Sequence, residues 1–233
     1  MTKHDPQAAS RRTFLKTSAG ALAGLVIGFR VRLPAASPLT SGSAKLPAPD
    51  AFLHIAPDDS ITVFLSHSEM GQGVWTGLPM LLAEELGCDW QKVQAKHGLA
   101  APAYAHTAYG MQMTGGSTST WSEFDRYRQV GAMARTMLIE AAAKQWGVDA
   151  AACHVDNGSV VHGDQKLTFG LLAEAAMRLT PPTEVALEPP AEWKLIGKPT
   201  RRLDSALKTT GRAEFGLDVK LPGLLTALVA RAP

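Results

Sequence analysis

Two glycine-bearing turns, each feeding straight into a helix-patterned run, constrain this chain more than any other feature. The first is Gly71-Gln72-Gly73, inside "MGQGVWTGLPMLLAEELG". The second is Thr114-Gly115-Gly116-Ser117-Thr118-Ser119, which opens a long alanine-rich segment ending at Gly147. The first amides of a helix are unpaired and sit at the positive end of its dipole, so such a junction suits an anion. Glycines let the backbone approach a ligand, and hydroxyls add donors. Gln72 both donates and accepts, which fits the edge of a heterocycle better than a bare phosphate. Each turn taken singly also reads as a tight turn or a generous helix cap. Neither is the dinucleotide fingerprint, because Thr76 stands where its third glycine would be, and neither carries the Gly-Lys-Ser/Thr of a phosphate loop.

The elements around these turns read as α+β. "AFLHIA" and "ITVFLSH" are strand-like and flank the turn "PDDS", so Ala51 to His67 reads as a hairpin. Leu78, Leu81, Leu82 and Leu86 recur at helical spacing, and Gly87 supplies a stop. "KVQAKH" reads as another strand. Residues 98–116 lack periodicity, and a loop of that length inside a domain is commonly functional. The next helix runs to Trp146, and Asn157-Gly158 between strand-like flanks is a hairpin signal. Thr168 caps a helix over Phe169 to Arg178. The proline-rich "TPPTEVALEPPAEW" reads as a linker, and Leu224 to Arg231 as an apolar strand.

The ends of the chain speak to location. "SRRTFLK" and the apolar "TSAGALAGLVIGF" form a basic region followed by a short hydrophobic one, too short to span a bilayer as a helix. Arg11 and Arg12 resemble the twin-arginine export address, read by a receptor that passes folded, often cofactor-loaded proteins. Periplasmic protein is the expectation, with the signal retained as an anchor if it is not cleaved. A net charge of +2 without a Lys/Arg stripe argues against nucleic acid as partner. Cys88 and Cys153 are too few for an iron–sulfur cluster, which takes about four thiolates.

Taken in order, "H-x-E-M-G-Q-G-V-x-T-G-L-P", "L-x-A-E-E-L" and "T-G-G-S-T-S-T" resemble the molybdopterin-binding subunit of the xanthine dehydrogenase/aldehyde oxidase family, in particular its isoquinoline 1-oxidoreductase β-subunit type. "I-G-K-P-x-x-R-L-D" and the stretch from Gly211 to Arg231 resemble the start of that family's hammerhead domain. The resemblance implies a signal and linker over 1–49, a cofactor-binding portion over 50–192 and the beginning of a hammerhead domain over 193–233. It implies that Gly71, Gln72 and Gly73 bond the pyranopterin of a molybdenum cofactor, in its cytosine dinucleotide form. Thr114, Gly115, Gly116, Ser117, Thr118 and Ser119 would hold the pterin and phosphate end, with Gln112 a looser candidate.

The implied chemistry is oxidation of an aldehyde or N-heterocycle with water as oxygen source. Electrons would leave through two 2Fe–2S clusters on a separate small subunit to a downstream acceptor. The family's glutamate base would lie beyond Pro233, making this chain the N-terminal part of a larger subunit. Glu69, Glu84 and Glu85 read instead as a helix cap and a solvated helix face. The readings from other classes are an exported module that binds another nucleotide or phosphorylated ligand without catalysis, and a cofactor-free binding module.

Overall fold

The computed structural model describes residues 51–232, so the export-signal reading of the N-terminus lies outside the described residues. Strands β1 (Leu53–Ile55) and β2 (Ile61–Leu65) pair antiparallel, with Ile55 opposite Ile61, as the hairpin pattern requires. Helix α1 (Val74–Leu86) then crosses over to β3 (Val93–His97), which pairs parallel to β2 with Ile61 opposite Val93. Antiparallel strands can be joined by a short turn, whereas a parallel pair needs such a crossover. Gly87, with φ 69°, ends α1 by turning its amide back to the Ala83 and Glu84 carbonyls.

Helix α2 (Ser119–Trp146) packs along α1, and the two cover one face of the sheet. Phe52, Ile55, Ile61 and Leu65 from the sheet meet Leu78, Leu82 and Leu86 from α1 and Tyr127, Met133, Met137 and Leu138 from α2. Burying each large apolar side chain contributes about 1.5–3 kcal/mol. Gly131 is where the helices approach most closely: a Cβ there would lie 2.3 Å from the Leu82 carbonyl oxygen.

A second sheet is an antiparallel meander of β4 (His154–Asp156), β5 (Ser159–His162) and β6 (Gln165–Thr168), followed by α3 (Phe169–Met177). The Asn157-Gly158 hairpin is present; β6 was not legible, because "QKLT" is polar and pairs only through its neighbour β5. The mixed α+β class agrees with the sequence reading. Among the described residues no helix is long and apolar enough to cross a membrane.

Two expectations are corrected. Residues 224–231 form no strand and are exposed, since an apolar stretch becomes a strand only beside a partner. Glu84 and Glu85 do not lie on a solvated helix face: they are 8% and 0% exposed. Glu85 meets Arg128 at 2.7 Å and accepts from the Glu188 amide at 2.9 Å. Burial outweighs these partners and holds the Glu85 carboxyl above its ordinary range. Glu84 accepts from the amides of Lys194, Leu195 and Ile196 at 2.7–2.8 Å. The proline-rich stretch is thereby strapped across α1 and α2, with Arg135 also paired to Glu188. Its carbonyls and amides find side-chain partners where prolines deny it a regular ladder. A short helix α4 (Ser205–Thr209) follows.

Candidate functional site

The parallel pair of strands sets the position of the site. Chain leaving β2 supplies Ser66, His67 and Ser68, and chain leaving β3 supplies Gly98 and Ala100. These segments, with Met70, His97, Gln112, Met113 and Thr114, line a cleft of about 430 Å³. Clefts beyond the carboxyl ends of parallel strands are where open α/β sheets bind ligands, because the connecting loops diverge there. The two glycine turns, 42 residues apart from Gln72 to Thr114, meet at this cleft through one bond: the Ser68 amide donates to the Thr114 hydroxyl at 2.9 Å.

The first turn has its anion already. Glu69 Oε1 accepts from the amides of Gly71 and Gly73 at 2.8 and 3.0 Å, and Oε2 accepts from Trp75 at 2.8 Å. Burial alone would raise the Glu69 carboxyl, but these amides and Arg202 hold it below its ordinary range. The cap reading of Glu69 is therefore right, and the expectation of open donors at this turn is not. Gln72 likewise does not project outward: its Oε1 accepts from the Met70 amide, and its Nε2 donates to the Ser68 carbonyl at 2.8 Å. It closes its own loop. Gly71 and Gly73 are required here by backbone angle, with φ 105° and 93°, and not by crowding, since no atom lies within 4 Å of an added Cβ.

The second turn is different. No side chain caps α2, and no acidic residue stands in its first turn. Gly116 and Ser117 both take positive φ, 63° and 57°. The Thr118 hydroxyl donates to the Gly115 carbonyl at 2.9 Å and lies 2.8 Å from His106 Nε2. Of the turn residues singled out from sequence, Thr114 lines the cleft, and Gly115 to Ser119 lead from it into the helix. Gln112 also lines it and donates through Nε2 toward the Ser66 carbonyl at 3.5 Å.

Beneath the cleft lies a charged cluster that sequence reading missed. His67 is 2% exposed, and its Nε2 is 3.3 Å from Oε1 of Glu123, which is 0% exposed. Arg126 pairs with the same carboxylate, and Ser122 Oγ lies 3.4 Å from it. Burial works to raise the Glu123 carboxyl, yet bonds from His67 and Arg126 hold it below its ordinary range. Nδ1 of His67 is buried without a hydrogen-bond partner. A buried orphan nitrogen on the cleft wall, beside serine, threonine and glutamine side chains, is a donor set suited to a hydrogen-bonding heterocycle. The only early signal was a histidine directly preceding the turn motif. Cys88 and Cys153 are free, and burial pushes the Cys88 thiol up to about 12. Among the described residues no cluster of histidine, cysteine or carboxylate could hold a metal ion directly.

Fold and cleft together define a small-molecule-binding α+β domain with one self-capped glycine turn and one helix N-terminus left without an acid. The sequence model of the molybdopterin cofactor-binding domain matches residues 6–211, and the chain belongs to that family. It is 35% identical over 96% of its length to a membrane-bound aldehyde dehydrogenase [pyrroloquinoline-quinone] of Gluconacetobacter polyoxogenes, covering 29% of that protein. It is 30% identical, also over 96% of its length, to isoquinoline 1-oxidoreductase subunit beta of Brevundimonas diminuta, covering 33%. The chain thus spans about a third of the length of these relatives. Reconstituted CO dehydrogenase from Oligotropha carboxidovorans overlaps 59% of this chain and 18% of its own, with TM-score 0.44 and 22% identity. The cleft residues fit the group that the family name implies: the orphan His67 Nδ1 faces no protein partner, and the first turn of the helix after Thr114 carries no acid to repel a phosphate.

Proposed function

We propose that this chain is the cofactor-holding part of a molybdenum hydroxylase large subunit that oxidises aldehydes or N-heterocycles with water as oxygen source. The observation that carries the reading is the Ser68–Thr114 bond, which joins the two family motifs at one cleft. The cofactor, in the cytosine dinucleotide form, would supply the two-electron redox chemistry. The chain's own residues hold and orient it. Ser68, Gln112 and Thr114 offer polar groups on the cleft wall, and His67 offers Nδ1. Gly71, Gln72 and Gly73 shape one lip through the Glu69 carboxylate. Gly115, Gly116, Ser117, Thr118 and Ser119 form the other, where the uncapped start of α2 favours a phosphate. The start of α2 would favour the cofactor's anionic end, whereas at α1 Glu69 already occupies the amides and would repel a second anion.

The same proposal includes a small partner subunit with two 2Fe–2S clusters passing electrons to a downstream acceptor, supported by the subunit name of the isoquinoline-oxidising relative. Export by the twin-arginine route completes it, supported by Arg11-Arg12 ahead of the apolar stretch. Lysine at both positions should leave the protein in the cytoplasm, and unchanged periplasmic protein on fractionation would refute the export reading.

The test of function is cofactor analysis of the complete subunit purified from its native host. Molybdenum near one atom per chain with a released pterin supports the proposal. A quinone without molybdenum would favour the cofactor in the name of the Gluconacetobacter relative. Flavin or another nucleotide would favour a different phosphorylated ligand. Gly73→Val should lower molybdenum content sharply, since a β-branched residue is strained at φ 93°.

A further inference from the structure

The GQG turn is shaped from 130 residues away. Arg202 lies in the segment that follows the proline-rich strap, and its Nη2 meets Glu69 Oε1 at 3.1 Å while Nη1 donates to the Gly71 carbonyl at 3.3 Å. Asp204 holds the other side of the guanidinium through two bonds of 3.0 Å, and Lys208 reaches the same carboxylate at 2.5 Å. Next to it, the Leu203 amide donates to the Thr76 hydroxyl at 3.0 Å, pinning the segment to the first turn of α1. Thr76 and Asp204 are both 6% exposed, so the segment is anchored on buried partners while the Arg202 side chain itself is 38% exposed. One guanidinium therefore joins the carboxylate that organises the turn to the backbone of the turn itself. Planar, forked donors do this; a lysine ammonium supplies the charge without the fork.

We propose that Arg202 is a positioning residue for the cofactor cleft: docking of residues 202–204 on α1 locks Glu69, and Glu69 holds the GQG lip in the shape that retains the ligand. The proposal rests on the functional reading above for the identity of the ligand and on geometry for the lock. The lip is an exposed loop whose bonds, apart from those to Arg202, arise within residues 68–77, from Leu203, or from Ser68 to Thr114 at its base, so loss of the arginine frees it without opening the core.

The experiment compares the full chain with Arg202→Gln, Arg202→Lys and, as a charge control, Arg201→Gln at the exposed neighbour. Amide hydrogen exchange at Gly71, Gly73 and Trp75 should accelerate by about tenfold or more in Arg202→Gln, with Arg202→Lys in between, while α2 amides such as Val130 and Met133 stay protected. Arg201→Gln should match the parent. Molybdenum retained by the holoenzyme through gel filtration should fall in the same order. Unchanged exchange at the turn in Arg202→Gln overturns the proposal, and so does equal acceleration along α2, which marks general unfolding. A parent protein without molybdenum would overturn the functional reading instead, and the exchange data would still judge the lock.

Discussion

The backbone amide of Ser68 donates to the side-chain oxygen of Thr114 at 2.9 Å, and this bond between residues 46 apart in sequence joins the two glycine turns. Removing the acceptor with Thr114→Val keeps the shape and leaves the Ser68 amide to water. A neutral hydrogen bond contributes about 0.5–1.5 kcal/mol, so the fold should survive with a small drop in its urea midpoint. Molybdenum content of the complete subunit should fall more than stability does. Full occupancy in this variant would show that the two turns do not act as one site.

At the helix crossing, Gly131→Ala would place a methyl group 2.3 Å from the Leu82 carbonyl oxygen and 2.9 Å from Glu85 Cβ. Backbone on one side and a buried carboxylate's stem on the other cannot yield cheaply. Overpacking of this kind costs about 1–3 kcal/mol, which equilibrium urea unfolding would register. A midpoint equal to the parent would mean that α1 and α2 slide apart freely.

Glu84 is a staple. Its carboxylate accepts three consecutive amides of residues 194–196. In Glu84→Gln the charge is lost and an NH₂ group faces amide donors, so destabilisation of about 1.5–3 kcal/mol is expected. The strap should loosen first, and trypsin should cut at Lys194 sooner than in the parent. Identical cleavage kinetics would assign the strap's order to the prolines and not to Glu84.

Acid should weaken the domain. The carboxyls of Glu69 and Glu123, ordinarily at 4.5, and of Asp204, ordinarily at 3.8, are all held lower in the fold: burial opposes this, and the amide, histidine, arginine and lysine partners prevail. The unfolded state therefore binds more protons as pH falls. Their stabilisation is complete above the ordinary values and is lost as pH drops through the lowered ones. Glu85 works the other way, because its raised value stabilises the fold only at lower pH and loses that contribution as pH rises through it. Asp58 and Asp59 are held lower as well, so with five lowered carboxyls against one raised the urea midpoint should decline as pH falls below the ordinary carboxylate values. A flat profile would show that the ion pairs around Arg126 and Arg202 contribute nothing net.

What the sequence by itself determined is local. The hairpin over 51–67, the helix from Val74 to its Gly87 stop, the helix ending at Gly147 and the Asn157-Gly158 turn follow from periodicity and from residues that tolerate one backbone region. The motif order also carried the family, because a linear string is what a family model reads. Only the tertiary structure decided which charges are buried. Glu84 and Glu85 occupy helix positions whose exposed or buried fate depends on whether a strap more than 100 residues later lies over them. The same holds at the first turn: three amides and a carboxylate are visible in "EMGQGVW", but that Arg202 would come back to close the set is not. Likewise Leu224 to Leu228 has the composition of a strand and no strand beside it. Local preference is set by a residue and its near neighbours, whereas burial, ion pairing and sheet membership are contacts between distant segments, and these exist only once the chain has folded.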